Sequence, residues 1–273
     1  MAHTGRRTVL LTGASSGIGE GLAREHARRG DRVALLARRR ERLELLQQSL
    51  QAEGAEVSIH AGDVCRDGDV AAVVKELGAA GIGIDIVYAN AGFGVAGALQ
   101  RLTLADYHRQ FDTNVFGMLR TIYETLDALR ASRGRLVLVG SVAVHVAAPG
   151  SSPYSMSKFA VRALAEAVRG DLAGEGIAVT LVSPGFVDSD IRRTNNRGEL
   201  QADAPDPIPA WVRVKTEVAV REIVRGVERR RPEIIVTGHG KLIVFMARHF
   251  SGLLRWFGMR VYKARPEPRA PKA

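Results

Sequence analysis

Three side chains near the middle of the sequence are suited to proton transfer. Tyr154 and Lys158 lie four positions apart, so on a helix they share one face and their tips meet. A free phenol ionises near pH ~10, too high for efficient proton exchange near neutrality. A neighbouring ammonium stabilises the phenolate and lowers that value, so Tyr154 can give a proton to an oxygen and take it back. Ser141 follows a strand-like run over residues 135–140 and offers a hydroxyl to the same reacting oxygen as charge develops there. Tyr-x-x-x-Lys is also a common spacing on ordinary amphipathic helices, so its weight depends on the elements around it.

A second group of residues is suited to holding phosphate. The first strand-like run, residues 8–12, ends in Thr12-Gly13-Ala14-Ser15-Ser16-Gly17-Ile18-Gly19 and passes directly into a helical pattern over residues 17–29. Glycines let the backbone approach a pyrophosphate, and the helix N-terminus supplies N–H donors and a favourable dipole. The second run, residues 32–36, leads into Ala37-Arg38-Arg39. A site selective for NAD usually has an acid here to bond the ribose 2′-hydroxyl. Ala37 stands in its place, and an arginine follows whose guanidinium suits a 2′-phosphate. The reading favours NADP over NAD, with Arg38 as the main contact and Ser15 close by.

These residues need a scaffold, and the sequence provides one. Strand-like runs over residues 8–12, 32–36, 56–60, 84–89, 135–140, 178–183 and 233–237 alternate with helical patterns over 17–29, 39–53, 67–79, 103–131, 152–173 and 216–230. The alternation predicts an α/β fold: one doubly wound, Rossmann-type parallel sheet of about seven strands with helices on both faces. Ligands of such sheets bind beyond the carboxyl ends of the strands, which is where the residues above fall. Residues 1–240 are expected to form the catalytic body. Its polar, Pro-rich stretch over about 188–210 is long enough to serve as a lid.

The glycine spacing Thr-Gly-x-x-x-Gly-x-Gly resembles the short-chain dehydrogenase/reductase family, and other motifs extend the resemblance over about residues 8–238. It implies that Asp63 and Val64 lie at the adenine and that Asn90-Ala91-Gly92 shapes the cofactor wall. Ala89 stands where the family often has a second Asn. Pro184-Gly185-Phe186-Val187-Asp188-Ser189 matches the turn that the family aims at the nicotinamide carboxamide, with Ser189 in place of the usual Thr. Ser141, Tyr154 and Lys158 match the family's catalytic group. Asn114 matches its fourth member, which holds a water linking the lysine to solvent, and an Asn within a helix invites that reading. The implied activity is reversible hydride transfer between NADP(H) and a carbonyl or alcohol. Lys158 would also bond the nicotinamide ribose, and the positive nicotinamide ring would join its ammonium in lowering the Tyr154 phenol. Family members commonly pair through the helices matched at 103–131 and 152–173, so a homodimer or homotetramer is expected. The alternative is a nucleotide-sensing protein that keeps the fold without turnover, but such proteins typically lose the Tyr or Lys.

Composition bounds the remainder. The chain has 273 residues, 46% of them hydrophobic, which suits one large domain with a sizeable core. One cysteine, Cys65, excludes an internal disulfide framework, and the seven histidines show no metal-ligand spacing with it. Cys65 reads as a small residue beside the adenine site. His145 reads as a satisfied loop residue rather than a substrate contact. A net charge of +10 favours anionic partners, yet the basic residues are dispersed and no nucleic-acid motif is present. Residues 241–264 form a basic amphipathic pattern in which Leu242, Phe245, Met246, His249, Leu253, Trp256 and Phe257 recur at helical spacing among Arg248, Arg255, Arg260 and Lys263. It suits packing on the body or another subunit, or an anionic membrane surface. No run is long enough for a spanning helix, and the run at 8–12 is too short for a signal-peptide core, so the body is read as cytoplasmic with peripheral membrane contact open. The tail over 265–273, rich in Pro and charge, is expected to be disordered. The substrate is not legible, although Phe93, Val95, Val144, Val146 and Phe186 suggest a lipophilic carbonyl compound.

Overall fold

The structure, a computed structural model, describes residues 6–201, 203–253, 256, 259 and 260. Seven strands form one parallel sheet in the order β3-β2-β1-β4-β5-β6-β7. They are β1 (Thr8–Thr12), β2 (Arg32–Ala37), β3 (Val57–Ala61), β4 (Ile86–Ala89), β5 (Arg135–Val139), β6 (Ala178–Pro184) and β7 (Glu233–Val236). The order reverses at β1 and β4, so the crevice between their carboxyl ends is the place for a ligand.

Both faces of the sheet are covered, which explains why the strands read as continuous apolar runs. On one face α1 (Gly17–Arg28), α2 (Arg40–Ala52) and α7 (Thr216–Glu228) bury Leu22, Leu43, Val220 and Ile223 against Val9 and Leu11 of β1. On the other, α3 (Asp69–Ala79), α5 (Gly117–Ser132) and α6 (Ser152–Leu172) bury Val73, Ile122 and Val161 against Leu10. The period-two alternation along β1 thus divides one strand between two cores.

Two segments depart from the sequence reading. The single helix expected over 103–131 is α4 (Leu104–Phe111), one wide π turn over Asp112–Phe116, and then α5. Asn114 sits in the wide turn and is 1% exposed. A helical period supplies no partner for a buried amide, and the extra residue in the turn aims it at the neighbouring loop. The helix expected over 241–264 is α8 (Gly238–His249), which starts earlier and stops where Phe250 leaves helical geometry at φ −131° and ψ 42°. Backbone at 251–253 is helical again. Arg255, Phe257, Lys263 and the tail over 265–273 lie outside the described residues.

The stretch over 188–210 is tied down at several points. A short 3-10 turn, Asp190–Arg193, is followed by an antiparallel bridge between Thr194 and Leu200. Arg192 grips Asp206 with Nε at 2.8 Å and Nη2 at 2.7 Å. The Asn196 amide accepts from the Ala96 N–H at 3.0 Å and donates to the Ala96 carbonyl at 2.9 Å. This stretch therefore crosses the carboxyl edge of the sheet. Among the described residues, no helix is long and apolar enough to cross a membrane.

Candidate active site

The carboxyl edge carries a cavity of about 630 Å³. Every cofactor-binding residue named from sequence lines it: Gly13, Ser15, Ser16, Gly17, Ile18, Gly19, Arg38, Asp63, Val64, Asn90, Ala91, Gly92, Pro184, Gly185, Val187 and Ser189. Ser141, Tyr154 and Lys158 line the same cavity. Asn114 does not, because it is buried behind the wall.

The glycine loop is shaped by close approach. Gly13 adopts φ +66°, and a Cβ there would stand 2.7 Å from the Ala91 Cα. A Cβ on Gly19 would stand 2.3 Å from the Gly13 carbonyl oxygen. Side chains at either position would push the loop off the wall and fill the cradle. Ser16 caps α1 without a side-chain bond, leaving the first-turn N–H groups for an anion. Behind the loop, the Thr12 hydroxyl accepts from the N–H of Asn90 at 3.0 Å and of Ala91 at 3.1 Å. The Asn90 amide donates to the Thr12 carbonyl at 2.9 Å, so the loop and the wall are one unit. The sequence places Thr12 at the head of the glycine motif without a role, which appears only when β1 and β4 pair.

The arginines after β2 divide in a way the sequence did not foretell. Arg38 turns outward, with Nη2 3.4 Å from the Gly198 carbonyl of the crossing stretch. Arg39 turns inward and donates to the Ser15 hydroxyl at 2.9 Å and the Ser16 hydroxyl at 2.7 Å. Among the described residues no carboxylate pairs with Arg39. Burial, and then the like charges of Arg42 and Arg38, push its guanidinium below its ordinary value against the opposing charges of Asp190 and Glu20. This corner holds surplus positive charge next to the glycine loop, a fit to phosphate.

Ser141, Tyr154 and Lys158 lie at the other end of the cavity. Lys158 is 5% exposed, and its Nζ donates to the Val139 carbonyl at 3.0 Å and stands 5.7 Å from the centre of the Tyr154 ring. Burial pushes the ammonium down to about 8. Burial also pushes the Tyr154 phenol up, opposed by a hydrogen bond with Ser141 and by the charge of Arg192. In the protein alone burial therefore favours the protonated phenol. Ser141 is itself aligned by accepting from the Ala143 N–H at 3.2 Å. Asn114 donates to the Phe93 carbonyl at 3.1 Å and to the Ser157 hydroxyl at 3.2 Å, and accepts from the Phe93 N–H at 3.1 Å. It ties the wall after Gly92 to the residue before Lys158. Of the apolar residues suggested for a substrate, Phe93 lines the cavity, whereas Val95 and Val144 are fully buried in the body. Ile191 and Leu200 of the crossing stretch add apolar surface. His145 lies away from the cavity, with Nδ1 2.6 Å from the Arg162 guanidinium and Nε2 2.9 Å from the Glu233 carboxylate. Cys65 is half-buried, 3.3 Å from the Thr113 hydroxyl, with its thiol pushed up to about 11 by burial.

The fold and this site define an oxidoreductase of the Rossmann type. The short chain dehydrogenase family model matches residues 7–200. An uncharacterized oxidoreductase of Myxococcus xanthus is 37% identical over 227 residues, 83% of this chain and 87% of that one. The short-chain dehydrogenase of Sphingobium yanoikuyae, solved in complex with NADPH, is 28% identical with a TM-score of 0.73, covering 98% of this chain and 100% of that one. A short chain dehydrogenase/reductase of Burkholderia phymatum, solved with NAD, shares the fold at a TM-score of 0.78 and 22% identity, covering 99% of this chain and 100% of that one. The chain belongs to the short-chain dehydrogenase/reductase family.

Tyr154→Phe removes the phenolic hydroxyl while keeping the ring in place. Turnover of any carbonyl compound reduced by the wild type should fall by about 10²–10⁴-fold with dinucleotide affinity nearly unchanged. Activity within about tenfold of wild type would remove Tyr154 from acid–base duty.

Proposed function

We propose that the protein is an NADP(H)-dependent carbonyl reductase and alcohol dehydrogenase acting on a lipophilic substrate. The observation that carries the cofactor choice is Arg39, a cation that pairs with no carboxylate among the described residues and is seated on the Ser15 and Ser16 hydroxyls. Arg38 supports it from the outer side. The residues present fit the dinucleotide from end to end: the cradle of Gly13, Gly17 and Gly19 for the pyrophosphate, Asp63 and Val64 for the adenine, and Lys158 for a ribose hydroxyl. When bound, the nicotinamide supplies or accepts the hydride.

The chain's own residues do the rest. Tyr154 donates its phenolic proton to the substrate oxygen in reduction and withdraws it in oxidation. Ser141 hydrogen-bonds that oxygen, and Lys158 stabilises the phenolate left behind. Asn114 fixes the Lys158 turn of α6 against the cavity wall. Phe93, Ile191 and Leu200 offer the apolar surface for the substrate body. Retention of Asn114, Ser141, Tyr154 and Lys158 in one constellation favours turnover over a purely nucleotide-sensing role.

Arg39→Asp tests the cofactor reading. The ratio of kcat/KM for NADPH over NADH should fall by at least about tenfold, since one charge-assisted bond of ~1.5–3 kcal/mol is replaced by repulsion. Arg38→Asp should move the ratio the same way by less. A ratio unchanged in both variants contradicts the choice of NADP.

Two further proposals concern surfaces. Phe116, Tyr123, Met156 and Phe159 are exposed on α5, α6 and the turn before α5, which supports a homo-oligomer built through these helices. Leu242, Phe245, Phe250, Leu253, Trp256 and Met259 are exposed within a stretch, residues 238–260, that contains no acidic residue. Basic charge beside apolar surface suits an anionic bilayer surface, where a lipophilic substrate concentrates. Sedimentation reads both. The protein alone should run as a dimer or tetramer, and anionic vesicles should carry it down at low salt but not at high salt. A monomer contradicts the first proposal, and a supernatant species indifferent to anionic vesicles contradicts the second.

A further inference from the structure

We infer that His239, on the first turn of α8, is a positioning residue that holds the Pro184–Ser189 turn in shape for the dinucleotide. The inference rests on the reading of that turn as part of the cofactor site. Its basis is a contact between two backbone segments that the family motifs do not join. The Phe186 N–H donates to His239 Nε2 at 2.7 Å. The rings of Phe186 and His239 stack at 5.3 Å and 21°. Phe186 is flanked by Gly185 and Val187, both of which line the cavity.

The rest of the α8 first turn is built around this contact. Thr237 precedes the helix at φ +79°, a conformation that a β-branched residue adopts only when its surroundings impose it. Its hydroxyl accepts from the Gly240 N–H at 3.1 Å and lies 3.1 Å from His239 Nε2. A Cβ on Gly185 would stand 2.4 Å from that hydroxyl oxygen and 2.5 Å from His239 Nε2. The two turns are therefore pressed together without room for a methyl group. Elsewhere the Pro184–Ser189 turn is held by backbone, with the Gly185 N–H on the Val236 carbonyl at 3.3 Å and the Val214 N–H on the Phe186 carbonyl at 2.9 Å, and by side-chain donors, Arg192 on the Val187 carbonyl and Thr216 on the Asp188 carbonyl. Among these contacts His239 is the side chain that accepts from a backbone N–H of the turn, and α8 lies beyond the residues that the family model matches.

The bond sets a condition on the imidazole. Nε2 accepts only when it carries no proton; a proton there would set N–H against N–H and release Phe186. Half-burial pushes the ring below its ordinary value, so the accepting form prevails at neutrality. The charged groups around it balance locally. On α8 Lys241 pairs with Glu222 of α7 at 2.6 Å, and Glu222 also reaches the Thr237 N–H at 3.5 Å. From the crossing stretch, Arg192 donates to the Val187 carbonyl at 3.1 Å, and the turn after Ser141 meets the Gly240 position with apolar Val142.

Two variants separate the acceptor from the ring. His239→Gln keeps an acceptor that does not titrate, and His239→Phe keeps the stacking surface and has no acceptor. NADPH affinity is read by fluorescence titration from acid to neutral pH, with thermal melting of each protein as a check on folding. The phosphate of the probe itself titrates near pH ~6 in every titration, so the comparison between proteins carries the result. Wild-type affinity should weaken on the acid side about five- to tenfold more than that of His239→Gln, and His239→Phe should be weaker than both at neutral pH by a similar factor. If His239→Phe does not fold, His239→Gln against wild type decides. Superimposable wild-type and His239→Gln profiles overturn the inference while leaving the cofactor reading intact. Wild-type protein that binds neither NADPH nor NADH at any pH overturns the cofactor reading and this inference with it.

Discussion

A lysine ammonium buried at the carboxyl edge of a parallel sheet is expensive, and much of this structure consists of what keeps it there. Lys158 has the Val139 carbonyl as acceptor and is pushed down to about 8 by burial. Removing the ammonium from water disfavours its charged form, and removing the phenol of Tyr154 disfavours phenolate. An ammonium beside a phenolate would be a compensated pair, whereas either charge alone is not. The pair works only if α6 cannot shift. That explains why Asn114 is spent on the Phe93 backbone and the Ser157 hydroxyl, and why α4 and α5 are separated by a wide turn that delivers it.

The opposite end of the cavity has the complementary imbalance. Arg39 is depressed by burial and by its arginine neighbours, and rests on two serine hydroxyls in place of a carboxylate. Positive charge is thus stored at both ends of a groove whose middle is a glycine cradle at a helix N-terminus. A long anion with a polar sugar at each end satisfies all three regions together, and a short anion satisfies one. Arg38 and Asn196 tie the crossing stretch across this groove at Gly198 and Ala96. These ties are a few exposed hydrogen bonds, each worth little in water.

Much of this was legible in the sequence because it depends on local order. Strand-helix alternation fixes a parallel sheet, and glycines after β1, Asn90 after β4, Ser141 after β5 and Pro184 after β6 all fall at one edge once the strands run the same way. What stayed hidden depends on side-chain direction. Arg38 and Arg39 are adjacent, and only the twist out of β2 decides which of them faces Ser15. Val95 and Val144 read as apolar and near the site, yet both turn into the body. The wide turn at Asp112–Phe116 follows from the demand of one buried amide, which periodicity does not register. The start of α8 at Gly238, three residues earlier than its amphipathic pattern, follows from the Thr237 hydroxyl accepting from Gly240.

The most direct measurement is the ionisation of Tyr154 itself. The tyrosinate absorbance of the wild type minus that of Tyr154→Phe, titrated with and without NADP⁺, isolates this phenol from the other tyrosines. In the protein alone the midpoint should lie above the ordinary value for tyrosine, because burial outweighs the hydrogen bond from Ser141. With NADP⁺ bound it should fall by about one to three units, as positive charge next to the phenol favours the phenolate. A midpoint that does not move on cofactor binding would contradict the account, since Tyr154 and Lys158 would then be neighbours without a shared proton chemistry.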